Sequence, residues 1–179
     1  MIFTEWLDGR EEGEFNPPDA KEFEYLACVL HAASQKELIR AAQRYLEQQT
    51  GSLIPPHWVG RCHHMTVKYA PTKGDMGALA GKFGKPFLLK VDAFAHDPHG
   101  LAVIVKGDIN SSQAVPHITI AHSPEVGSVY SNDLLKDKSK WHRYLEIGDL
   151  YSVLMGVRKD NTVWPSLVTQ LASPTIIVK

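Results

Sequence analysis

Two histidines, His64 and His117, each stand two residues ahead of a threonine, Thr66 and Thr119. In an extended strand alternate side chains share a face, so each His and its Thr look out together. Along Cys62 to Tyr69, alternation puts Cys62, His64, Thr66 and Lys68 on one side and His63, Met65, Val67 and Tyr69 on the other. Along Pro116 to Ala121 it puts His117, Thr119 and Ala121 opposite Ile118 and Ile120. Imidazoles with ordinary pKa values of about 6.5 serve as base or acid near neutral pH. Phosphodiester cleavage needs one of each, on opposite sides of phosphorus, to activate the attacking oxygen and protonate the departing one. A hydroxyl beside each His can donate to a non-bridging oxygen as charge builds there. Lys68 can add a positive charge. One His-x-Thr in a strand is ordinarily structural; two, each with an apolar backing, point to a site.

Strands are needed around both motifs, and the sequence supplies them. Tyr25 to Leu30 has strand length and composition, and Ser34 with Glu37 has capping-box spacing for a helix carrying Leu38, Ala41, Ala42 and Tyr45 to Gln49. Thr50-Gly51-Ser52 closes that helix, and Trp58 to Tyr69 reads as a second strand, with Cys62 inside it and Pro71 beyond its end. A short helix is weakly signalled around Met76 to Leu79. Phe87 to Phe94 and Leu101 to Lys106 form a hairpin turned by Asp97-Pro98-His99-Gly100. Val115 to Ala121 is a fifth strand, Pro124 to Asn132 a loop, Asp133 to Tyr144 a lysine-bearing helix and Leu150 to Val157 a sixth strand. Residues 158–179, with Trp164-Pro165 and Thr175-Ile176-Ile177-Val178, read as an extra strand or a tail, and 1–23 as an N-terminal extension, acidic and Gly/Pro-rich from Asp8.

The chain of 179 residues is 44% hydrophobic and 22% charged, so it is long enough for one sizeable core and a single domain over 1–179. A formal charge of -1 argues against a long nucleic-acid duplex, duplex DNA included, as ligand. Two cysteines in strand-like runs, Cys28 and Cys62, suit a reducing compartment rather than a disulfide framework. No apolar run spans a bilayer and no basic-then-apolar leader opens the chain, so a cytoplasmic protein that does not enter membranes is expected. A monomer is the default.

The motifs resemble the paired H-x-[TS] motifs of the two-histidine (2H) phosphoesterase superfamily, over roughly Tyr25 to Val157. The resemblance implies an α+β fold, bilobal, with two pseudo-symmetric halves whose antiparallel sheets flank a central cleft. It implies catalysis by His64, His117, Thr66 and Thr119 without metal or cofactor. Pro55-Pro56-His57-Trp58 ahead of the first motif, and Ser123 to Asn132 after the second, look like the RNA-repair branch, so Ser131 and Asn132 are carried over as substrate-pocket residues and Tyr130 by adjacency. The expected substrate is a 2',3'-cyclic phosphate at an RNA end or on a nucleotide. Hydrolysis of cyclic di- or trinucleotide signals, and a non-catalytic nucleotide- or RNA-binding module, stand as alternatives.

For the other residues the plain readings are preferred. His63 and His64, as strand neighbours, face opposite ways and are not expected to share a metal. His122 is expected at the solvent end of its strand, and His31, His57, His96, His99 and His142 at the surface. Tyr69 and Trp58 are assigned to the core rather than to base stacking. Lys136, Lys138, Lys140 and Arg143 read as a solvated helix face.

Overall fold

The computed structural model describes residues 17–144 and 146–166; Thr175 to Val178, part of the expected last strand, lie outside them. β1 (Phe23–Leu30) leads into α1 (Ala32–Thr50), which buries Leu38, Ala41, Ala42, Tyr45 and Leu46. Gly51 ends α1 with φ 81, donating its N–H to the Glu47 carbonyl. That left-handed step is what the Thr-Gly-Ser closure anticipates. At the other end the anticipated cap is not used. The helix starts at Ala32 with His31 as N-cap, and Ser34 is instead buried and accepts the Tyr151 N–H, tying the helix to a distant strand.

β2 (Val59–Gly60) and β3 (His64–Tyr69) replace the single strand expected over Trp58–Tyr69. Between them Cys62 adopts φ 55, so it is not a strand residue. α2 (Lys73–Ala78) is opened by a reciprocal capping box between Thr72 and Asp75. β4 (Pro86–Asp97) and β5 (Gly100–Gly107) form the expected hairpin, with Asp97 Oδ1 accepting the His99 and Gly100 N–H groups in the turn. β6 (His117–His122) follows, then α3 (Tyr130–Leu134), β7 (Trp141–Arg143), β8 (Leu150–Arg158) and β9 (Val163–Trp164). The helix expected over Asp133–Tyr144 is thus corrected. α3 ends at Leu134, Lys138–Lys140 make one 3-10 turn capped by Asp137, and Trp141–Arg143 pair with β4, because backbone pairing to an open strand outweighs weak helical propensity.

The fold is a mixed α+β one in which every strand pairing among the described residues is antiparallel. Six strands, in the order β4-β5-β6-β3-β1-β8, close into a barrel-like sheet because the first residues of β4, Pro86–Leu89, pair with β8 while its remainder pairs with β5. Apolar side chains cluster on both faces of the sheet. Leu26, Cys28, Leu30, Met65, Val103, Ile118, Ile120 and Leu154 join α1 in the main core. On the other face Ala27, Val29, Val153 and Met155 make one apolar cluster, and Ala93, Ala102, Ile104, Leu134 and Leu135 make another. Phe23 packs so closely on Gly156 that a Cβ there would lie 2.7 Å from its ring. Both cysteines are free and buried.

Candidate active site

The two motif strands meet at one register pair, Met65 with Ile118, whose side chains are buried in the main core. Strand alternation then turns His64, Thr66, His117 and Thr119 to the opposite face. Antiparallel pairing sets His64 alongside Thr119 and Thr66 alongside His117, so the two histidines occupy the diagonal, a position whose residues lie roughly 7–8 Å apart, somewhat less at Cβ. All four line one cleft of about 890 Å³. Its shoulders are apolar: Val29 pairs with His64 and Ala27 with Thr66 on one side, Ile104 with His117 and Ala102 with Thr119 on the other.

A bulge interrupts the register on each side. Between Leu26 and Ala27 of β1 the partner strand advances two residues, from Lys68 to Thr66; between Leu101 and Ala102 of β5 it advances from Ala121 to Thr119. Val67 and Ile120 are the extra residues, and beyond each one the alternation is inverted. Three expectations are corrected by this. Lys68 turns from the motif face and lines a smaller cavity of about 410 Å³ with Asp75 and Asp108. Tyr69, 59% exposed, leaves the core face and lines the cleft beside its pairing partner Tyr25. His122 comes to the cleft side of β6 and is buried, its Nδ1–H donating to the Ser123 carbonyl (2.9 Å) and its Nε2 accepting from Arg61 Nε (3.2 Å).

The left-handed Cys62 shifts the phase once more, ahead of the first motif. Cys62 goes to the core, and His63 turns out beside His64 instead of opposite it, with their Nδ1 atoms 3.0 Å apart. The Tyr25 ring stacks on the other side of His64, with centroids 4.7 Å apart and planes 23° from parallel. Burial foremost, then the neighbouring His63, His117 and Arg61, push the His64 pKa down to about 3. His117 is also lowered by burial, but its Nδ1 donates to the Val115 carbonyl at 2.7 Å, which supports the charged form. That bond leaves Nε2 of His117 for the cleft.

Comparison with protein-family models and with curated proteins found no match.

Of the expected pocket residues, Asn132 lines the cleft. Ser131 is buried behind it, its Oγ 2.8 Å from Thr119 Oγ1, which also donates to the Ser128 carbonyl at 3.3 Å. Tyr130 does not reach the cleft; its hydroxyl donates to Asp97 Oδ2, fastening α3 to the β4–β5 turn. Sequence reasoning missed Arg61, Tyr25, Gln113 and Asn161, all of which line the cleft. Arg61 had a signal in its nearness to the first motif, whereas Tyr25 and Asn161 arrive from the first strand and from beyond the last long one. His96 and His142 are not simple surface groups either. The buried Tyr45 hydroxyl lies 2.9 Å from the Nδ1 of each.

Proposed function

We propose that this protein is a two-histidine phosphodiesterase that opens a 2',3'-cyclic phosphate on an RNA end or nucleotide, with no metal needed for the chemistry. The observation that carries the reading is the diagonal His-Thr quartet in a single cleft with apolar shoulders. His64, held neutral, takes a proton from water as its oxygen attacks phosphorus. That role requires the His64 Nδ1–H to donate to His63, freeing Nε2. The P–O3' bond breaks, His117 gives the departing oxygen its Nε2 proton, and a 2'-monoester results. The negative charge of the bound phosphodiester raises both imidazole pKa values, which favours a charged His117 at neutral pH. Thr66 donates to one non-bridging oxygen, and Thr119 donates to the other by turning its single proton from the Ser128 carbonyl while it accepts from Ser131.

The bilobal fold of this superfamily, with its two pseudo-symmetric halves, is part of the same proposal. Supporting it, Leu26-Ala27-Cys28-Val29 and Leu101-Ala102-Val103-Ile104 repeat the same offsets to their motifs, down to the position of the bulge. The reading as a cytoplasmic monomer rests on composition; among the described residues no helix is long and apolar enough to cross a membrane.

Incubation in EDTA with nucleoside 2',3'-cyclic phosphates, an RNA oligomer ending in a cyclic phosphate, and cyclic di- and trinucleotides tests the proposal, with His117→Ala alongside. EDTA-resistant opening of a 2',3'-cyclic phosphate, lost in the variant, is the expected result. Cleavage confined to the cyclic oligonucleotides would replace the substrate class, and binding of any panel member unchanged over hours would replace catalysis by recognition.

A further inference from the structure

Arg61 sits on the turn between β2 and β3, where its own N–H bonds to the Ile120 carbonyl, one step beyond the Cys62 N–H bond to Thr119. Its side chain is exposed in the cleft and anchored by Nε to the buried His122. His122 is three residues past Thr119 on β6, roughly 10 Å along a strand. The acceptor there is a neutral imidazole whose other nitrogen is committed to the Ser123 carbonyl, so it fixes the guanidinium without neutralising it. Among the described residues no carboxylate pairs with Arg61. Four N–H donors of a fixed planar fork are left facing the cleft, offset from the His-Thr quartet. A charge-assisted fork of this kind matches a phosphate bidentately.

We infer that Arg61, positioned by His122, binds a second phosphate of the substrate, so that the cleft prefers a cyclic-phosphate nucleotide carrying another phosphate on its 5' side. The inference rests on the phosphodiesterase reading for the bond cleaved, but not for the anion. The second phosphate comes either from the preceding linkage of an RNA chain or from the 5'-phosphate of a mononucleotide. His122 touches no substrate in this scheme and is a positioning residue.

The test compares adenosine 2',3'-cyclic phosphate with and without a 5'-phosphate, and with a dinucleotide ending in the same cyclic phosphate. A charge-assisted contact corresponds to a preference of roughly tenfold to hundredfold in kcat/KM, carried mainly by KM. The preference should fall to near one in Arg61→Ala and fall in His122→Phe. It should persist in His122→Gln, whose carboxamide can accept from Arg61 and donate to the Ser123 carbonyl. A wild-type ratio near one, or a preference that survives in Arg61→Ala, overturns the inference. Whichever of the mononucleotide and dinucleotide shows the larger Arg61-dependent gain identifies the source of the phosphate. If the wild type cleaves none of them, the phosphodiesterase reading fails, and calorimetry with adenosine 5'-monophosphate against adenosine decides the anion site alone. An Arg61-dependent preference for the monophosphate upholds it, and equal binding overturns it.

Discussion

Met65 and Ile118 face each other across β3 and β6, fully inside the core, and theirs is the one register pair that joins the two motif strands. The polar quartet on the other face is therefore held by an apolar contact on this one. Ile118→Ala removes packing on one side of that contact and should lower stability by about 2–5 kcal/mol. Loosening the strands by even about 1 Å also misaligns acid and base, so turnover should drop while substrate affinity changes less. Denaturant melts beside kcat measurements check both, and a destabilised variant with unchanged kcat would argue against this coupling.

Removing either imbidazole nitrogen pair deletes one proton transfer. His64→Ala and His117→Ala should each lower turnover by about 10²- to 10⁴-fold, with near-wild-type circular dichroism. Because both act in one step, the double variant should fall little further than the worse single one. Near-normal turnover in either single variant would exclude the assignment.

Proton NMR of the free protein should find His64 neutral from pH 5 to 8 and His117 titrating below its ordinary value, both mainly because burial penalises the charged ring. The stability consequence has a definite sign. The folded pKa values are depressed, so below about pH 6.5 the unfolded chain takes up protons that the folded protein refuses. Stability should decline as pH falls from there, by up to about 1.4 kcal/mol per pH unit for each such group, until the folded pKa is reached. For His64 that point is about 3. His64→Gln should therefore show a shallower decline between pH 6.5 and 5 in urea melts.

Ser131 acts through Thr119, to which it is bonded at 2.8 Å from a buried position. Ser131→Ala leaves Thr119 to its weaker bond with the Ser128 carbonyl and should reduce kcat by about tenfold at most, in keeping with one neutral hydrogen bond. Thr119→Val, which removes the donor itself, should cost about 10²- to 10³-fold. Equal losses in the two variants would show that Ser131 does more than orient its neighbour.

Tyr45→Phe should destabilise the fold by about 1–3 kcal/mol, since His96 and His142 both lose the hydroxyl at their Nδ1 atoms while the ring packing against Phe94 survives. Thermal melts check this. An unchanged midpoint would mean that water replaces the hydroxyl at no cost.

Local chemistry made a good part of the molecule legible in advance. The body of α1, the β4–β5 hairpin and β8 follow from apolar periodicity, Gly51 and the Asp97–Gly100 turn, because short-range sterics and side-chain-to-backbone bonds act between near neighbours. The pairing of His64 with Thr66 and of His117 with Thr119 on one face likewise depends only on alternation. Tertiary contacts decided the remainder. The bulges at Val67 and Ile120 exist because β1 and β5 register differently on either side of them, and they turn Lys68 away, bring Tyr69 to the cleft and turn the buried His122 to the cleft side of β6. Cys62 holds φ 55 because its N–H is committed to Thr119 on another strand, which places His63 beside His64. Closure of β4 onto β8, and the recruitment of Trp141–Arg143 as a strand, depend on partners 46 to 67 residues away. No period in the sequence encodes such partners, since a strand's register is chosen by the strand beside it.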